Sequence, residues 1–133
     1  MASRGLWEPA LVRRIDEVAD FIRSSFTSIW SLELLLHLKA EPWVAKTREQ
    51  LIGDLRASDA VVSASVASLL AAGLIVEEEG HAYRYAPASE DLAALVEDID
   101  AIYRKQPDAV RRVIVVGKGN LAAFADAFRL RND

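Results

Sequence analysis

Residues 66–75 read VASLLAAGLI, and this stretch decides the fold that the sequence predicts. Its first part places aliphatic residues at helical spacing and includes several alanines, which favour helix. Gly73 is the residue type that commonly ends a helix, because it adopts a left-handed backbone at little cost. Leu74 and Ile75 then begin a strand-like run. The stretch therefore predicts a helix that passes through Gly73 directly into a β-strand.

The residues after Gly73 predict a β-hairpin. Residues 74–79 read LIVEEE and residues 82–86 read AYRYA, and Gly80 and His81 lie between these two strand patterns. Pro87 ends the second strand, because proline has no backbone N–H to donate to a sheet. We expect this hairpin, residues 74–86, to be the only β-structure of the chain, a two-stranded wing with its turn at Gly80-His81.

Four helices are predicted before the hairpin. Ser28 and Ser58 can each cap a helix, because a serine hydroxyl accepts a hydrogen bond from a first-turn N–H. Thr47 and Gln50 have the spacing of a capping box. The second helix has apolar residues nearly all round, as a buried core helix does. The helices are expected at residues 8–25, 29–40, 48–56 and 58–72.

Helices are also predicted after the hairpin, at residues 89–105, 107–116 and 121–130. The fold class is therefore mostly α with a small β-hairpin. We expect an N-terminal helix in residues 1–26, a central domain in residues 27–87 and a C-terminal helical extension in residues 88–133, all in one structural unit. The predicted core residues are Leu35, Leu51, Leu55, Val66, Leu69, Leu70 and Leu74.

The central domain resembles bacterial transcription regulators of the multiple-antibiotic-resistance (MarR) type. The similar stretches are LLLHL at residues 34–38 followed by Pro42, TREQL at residues 47–51, and VASLLAAGLI at residues 66–75. The resemblance covers about residues 27–87 and implies a winged helix-turn-helix domain whose helix at 58–72 reads DNA. It also implies dimerisation through the first helix and the helices after residue 88. One fold hosts many functions, and winged helices also serve as protein-interaction modules.

The charge of the central domain argues against DNA as its partner. Residues 27–87 contain five basic and eight acidic residues, so they account for −3 of the net charge of −4. DNA affinity is dominated by neutralisation of phosphates. Residues 58–72 contain no Arg, Lys, Asn or Gln, which are the residues that usually read base edges. Glu77, Glu78 and Glu79 in the wing would repel phosphate, unless they are simply a solvated face.

Four basic residues are the candidate phosphate contacts. Lys46, Arg48 and Arg56 surround the short third helix, and Arg84 lies on the second strand of the wing. Such side chains can position a DNA backbone without reading its sequence. The alternative is that they are scattered surface charges. We expect any DNA binding to be weak and similar on all sequences.

A stripe of small residues follows the helix at 58–72. Ala60, Ala64, Ala67 and Ala71 recur at positions i, i+4, i+7 and i+11. This alanine stripe permits close approach of another helix, either from the C-terminal region or from a partner. Alternatively, the alanines only favour helix formation, or this face enters a DNA groove.

Other functions lack a motif. The chain has no cysteine, and His37 and His81 have no third ligand at recognisable spacing, so we expect no metal site. Residues 117–122, GKGNLA, resemble a dinucleotide loop without the βαβ unit it requires, and we interpret them as a helix break. We expect no cofactor and no enzyme activity. Without a signal-peptide core or a run of about 18 apolar residues, we expect a cytoplasmic protein with no membrane span.

The sequence thus predicts a transcription-regulator-like winged-helix protein that binds DNA weakly or with a partner. The alternative is a protein-interaction module that binds no DNA and uses the helix at 58–72 or the acidic wing. A small-molecule sensor is a third possibility. We also expect a homodimer, because a C-terminal apolar run needs a surface to pack against. That run comprises Val110, Val113, Ile114, Val116, Leu121, Phe124 and Phe128.

Overall fold

The computed structural model describes residues 16–115, which are mostly α-helical with a small antiparallel sheet. The helices are α1 (16–25), α2 (Ile29–Ala40), α3 (Arg48–Leu55), α4 (Asp59–Ala71), α5 (Glu90–Lys105) and α6 (Pro107–Val115). The strands are β1 (Lys46–Thr47), β2 (Ile75–Glu78) and β3 (Ala82–Tyr85). The predicted start of the first helix and the predicted helix at 121–130 lie outside the described residues. No helix among residues 16–115 is both long and apolar enough to cross a membrane.

Local hydrogen bonds start the central helices where the sequence predicts. The Thr47 hydroxyl accepts from the Gln50 N–H at 3.2 Å, and the Gln50 side chain accepts from the Thr47 N–H at 2.8 Å. Ser58 accepts from the Val61 N–H at 3.1 Å at the start of α4. Ser28 caps α2, and Ser31 completes a second capping box there, which the sequence analysis did not anticipate. The predicted capping box and serine caps are confirmed.

Gly73 ends α4 as predicted. Its φ is +75°, which is the left-handed region that favours glycine. The Gly73 N–H donates to the Leu70 carbonyl and the Leu74 N–H donates to the Leu69 carbonyl, both at 3.1 Å. These two bonds form a Schellman motif, which satisfies carbonyl groups that the helix end leaves unpaired. The chain then turns directly into β2.

The sheet has three strands in the order β1-β3-β2, all antiparallel. The hairpin of β2 and β3 turns through Gly80 and His81, both with positive φ, as predicted. The expectation that this hairpin is the only β-structure is wrong, because β1 pairs Lys46 with Tyr83 and Thr47 with Ala82. Two residues are too short a stretch to show alternation, so no sequence pattern marked β1.

The described residues fall into two compact units. One is Ser24–Val96, and the other comprises the described residues before Ser24 and after Val96. In the second unit Val110 and Val113 are fully buried. These two residues of the predicted dimer surface therefore need no partner. Val116, Leu121, Phe124 and Phe128 lie outside the described residues.

The core of Ser24–Val96 confirms most of the predicted positions. Leu35, Leu51, Val66, Leu69 and Leu74 are buried. Two predictions are wrong, since Leu55, the last residue of α3, and Leu70, on the flank of α4, are only half-buried. The helix α2 is also not buried all round. It buries four leucines, whereas Trp30 keeps 41% of its surface exposed.

Candidate functional site

The solvent-facing side of α4 consists largely of small residues. The alanine stripe, Ala60, Ala64, Ala67 and Ala71, is exposed at all four positions. The helical period turns these residues away from Val62, Val66 and Leu69, which are buried. Contact of this face with another helix, from the C-terminal region or from a partner, stays a prediction.

Lys46 is held inside a polar cluster rather than presented to solvent. Its Nζ lies 2.9 Å from Asp54 Oδ2 and 3.3 Å from His37 Nε2, and its side chain is 18% exposed. Hydrogen bonds from Lys46 and then from His37 lower the pKa of Asp54. The cluster connects α2, β1 and α3. The Lys46 ammonium is therefore already engaged within the protein and is not presented to a phosphate.

Arg48 is paired with the first residue of α4. Its Nε lies 3.2 Å from Asp59 Oδ1, and the Ser63 hydroxyl donates to the same carboxylate oxygen at 3.2 Å. An acidic residue in the first turn of a helix also faces the positive end of the helix dipole. Asp59 is therefore held in place by an ion pair with Arg48, by a hydrogen bond from Ser63 and by its position in the helix.

Arg84 is paired across the hairpin. Its Nε donates to Glu78 Oε2 at 2.7 Å, and both side chains are partly exposed. Glu77 also has a partner, since its Oε2 lies 2.8 Å from His81 Nδ1. The wing is therefore less acidic at its surface than the run of three glutamates suggests.

Arg56 differs from the other three basic candidates. It follows α3 with φ +55°, a left-handed conformation that is uncommon outside glycine and asparagine. Its side chain is exposed, and its guanidinium makes no ion pair with another residue of the described range 16–115. Of the four candidates, Arg56 is thus the one whose charge is not neutralised by a neighbour.

An open cleft of about 330 Å³ lies between the start of α3 and the turn of the wing. Arg48, Glu49, Gly80, His81 and Tyr83 line it. The structure therefore brings a candidate phosphate contact next to the wing turn, which the sequence analysis treated separately. The lining combines one arginine and one histidine with a glutamate, so it is not a strongly basic surface.

Two features escaped the sequence analysis. The sequence assigned His37 no hydrogen-bond partner, and its Nε2 lies 2.9 Å from Asp54 Oδ2. Trp43, which follows α2, has 74% of its surface exposed. Neither feature has a local signal, because each depends on which segments lie nearby. Within residues 16–115 no group of three His, Asp or Glu side chains is placed to hold a metal ion.

The chain matches no protein-family model, and comparisons with curated proteins and with solved structures find no match. The basis for a function is therefore the geometry of α3, α4 and the wing.

Proposed function

We propose that this chain is a transcription-regulator-like protein built on a winged helix-turn-helix domain, residues 27–87, that binds DNA weakly or with a partner. The order of the elements supports the winged helix. A three-residue turn, 56–58, joins α3 to α4, as in helix-turn-helix motifs. The hairpin of β2 and β3 follows α4 directly, and β1 adds a third strand to it. The resemblance of residues 66–75 to MarR-type regulators agrees with this order.

The proposal that contact with DNA is weak rests on the pairing of the basic residues. Lys46, Arg48 and Arg84 each lie within 3.2 Å of an acidic oxygen. A phosphate that approaches such a pair meets a neutral surface, and counterion release contributes most of non-specific DNA affinity. Since α4 presents alanines where groove-reading helices carry long polar side chains, base readout also lacks the Arg, Lys, Asn or Gln side chains that usually provide it.

We also propose that the chain forms a homodimer. Support comes from large apolar residues that remain exposed, namely Trp43 and Val115, each with 74% of its surface in solvent. Val115 is the last residue of α6 and belongs to the C-terminal region that the family resemblance assigns to dimerisation. Sedimentation at tens of micromolar tests this proposal, and a single monomeric species would contradict it.

A salt titration tests the proposed DNA contact. Binding of the full chain to labelled duplexes of several unrelated sequences is measured by fluorescence anisotropy between about 50 and 200 mM salt. The expected result is weak binding at low salt that is similar on every sequence and disappears as salt rises. Tight binding to one sequence at physiological salt would refute the proposal.

A second candidate function is a protein-interaction module that binds no DNA. The observation that favours it is the exposed alanine stripe of α4, which is suited to a close helix contact and carries no charge. Absence of binding to every duplex at 50 mM salt, with the folded state verified by circular dichroism, would select this candidate over the first.

A further inference from the structure

Two acidic residues each pair with one arginine beside α4 and the hairpin of β2 and β3. Asp59 lies 3.2 Å from Arg48, and Glu78 lies 2.7 Å from Arg84. The partners come from neighbouring elements in the first pair, α3 and α4, and from two paired strands in the second. In both cases the arginine Nε, rather than an outer guanidinium nitrogen, lies close to the acid.

Stability alone is a weak reason for these pairs. Exposed ion pairs contribute about 0–1 kcal/mol to folding, because solvent screens the charges and two side chains lose freedom. The side chains of Arg48 and Asp59 are 47% and 70% exposed, so this pair belongs to that class. The pairs have a larger effect on the local charge than on stability. Each acid cancels the positive charge of an arginine that could otherwise contact a phosphate.

We propose that Asp59 and Glu78 are masking acids, which hold Arg48 and Arg84 in neutral pairs and thereby keep the binding of this domain to nucleic acid weak. This inference rests on the proposed function and names how its DNA contact is limited. A masked arginine releases no counterion on meeting DNA, because its charge is already balanced within the protein. The surface that carries these neutral pairs is then better suited to a partner that is not a polyanion.

Isosteric substitutions of the masking acids test the proposal. Asp59→Asn and Glu78→Gln keep an oxygen that can accept from the same donors while removing the negative charge. Each is expected to tighten binding to a duplex on the order of tenfold near 50 mM salt and to steepen the salt dependence by about one counterion. The matched control is the double variant Glu90→Gln/Asp91→Asn, because both residues are exposed on α5 and their loss changes the net charge equally.

The outcomes distinguish an effect of unmasking the arginines from an effect of the total charge on DNA affinity. A gain in the Asp59→Asn/Glu78→Gln double variant but not in the control supports masking. An equal gain in both variants, or no gain in either, overturns it. Tight, sequence-specific binding by the unchanged protein overturns the proposed function and the masking together, whereas weak binding that no variant alters overturns the masking alone.

A double-mutant cycle identifies the residue that each acid masks. The variant Arg48→Ala/Asp59→Asn, which removes both charges of the pair, is expected to bind like the unchanged protein, without the gain that Asp59→Asn alone produces. Arg56→Ala should instead remove the weak binding of the unchanged protein, because the Arg56 guanidinium makes no ion pair with another residue of the range 16–115. If the Arg48→Ala/Asp59→Asn variant keeps the full gain of Asp59→Asn, Asp59 does not act by masking Arg48.

Discussion

Lys46 Nζ lies 2.9 Å from Asp54 Oδ2, and His37 Nε2 lies 2.9 Å from the same oxygen. One carboxylate oxygen of α3 is thus shared by groups from β1 and α2. This polar cluster connects α3 to the preceding helix α2, and it includes Lys46, one of the four basic residues that the sequence predicts as phosphate contacts.

The Asp54 carboxylate should make stability depend on pH in the acid range. Its folded pKa is lowered below the usual value of about 3.9, mainly by Lys46 and then by His37. A lowered carboxyl pKa adds stability that is present above the unfolded pKa and is lost as pH falls through the folded pKa. The unfolding free energies of the wild type and Asp54→Asn in urea should therefore differ above the usual carboxyl pKa of about 3.9 and converge as the pH falls below it. A difference that does not change with pH would contradict this.

Leu69 should be a far larger contributor to the core than its neighbour Leu70. Leu69 is fully buried on α4, whereas Leu70 is half-buried. Leu69→Ala should cost about 2–5 kcal/mol of unfolding free energy, because it leaves a cavity as well as removing apolar burial. Leu70→Ala is the matched control and should cost clearly less. Equal losses in urea denaturation would show that the two faces of α4 are assigned wrongly.

Gly73 should tolerate a side chain less well than Gly80. Both have positive φ, +75° and +79°, so alanine costs about 1–2 kcal/mol of backbone strain at either position. At Gly73 an added Cβ would also lie 3.3 Å from the Ala88 Cβ, whereas at Gly80 it would meet nothing within 4 Å. The unfolding temperature of Gly73→Ala should therefore be lower than that of Gly80→Ala. The reverse order would exclude the close approach of Ala88 as a cause.

The alanine stripe should matter for association and not for folding. Ala64 and Ala67 are exposed, so Ala64→Arg and Ala67→Glu should change the unfolding free energy by no more than about 0.5 kcal/mol. If a second helix packs on this face, both variants should weaken self-association or partner binding. Because their charges are opposite, a shared loss in sedimentation would indicate a steric cause. Unchanged association in both variants would exclude the alanine stripe as a contact surface.

The sequence analysis located the helix boundaries well for a physical reason. Ser28, Thr47, Ser58 and Gly73 act through hydrogen bonds to backbone groups only a few residues away. Such contacts close within a single helical turn, so a short window of sequence contains both partners. The buried face of α4 was predicted for a similar reason, since the spacing of Val62, Val66 and Leu69 defines one side of a helix.

The arrangement of the candidate site depends on contacts between residues that are far apart in the sequence. β1 exists because Lys46 and Thr47 pair with a strand that follows two intervening helices, and two residues have no pattern of their own. The neutral pairs of Arg48 and Arg84 depend likewise on the turn between α3 and α4 and on the register of the hairpin. The sequence by itself therefore determined the order and ends of the helices and the composition of α4, through local hydrogen bonds and helical periodicity. Only the tertiary structure decided which charges meet and which alanines face solvent, because those depend on how separate elements pack.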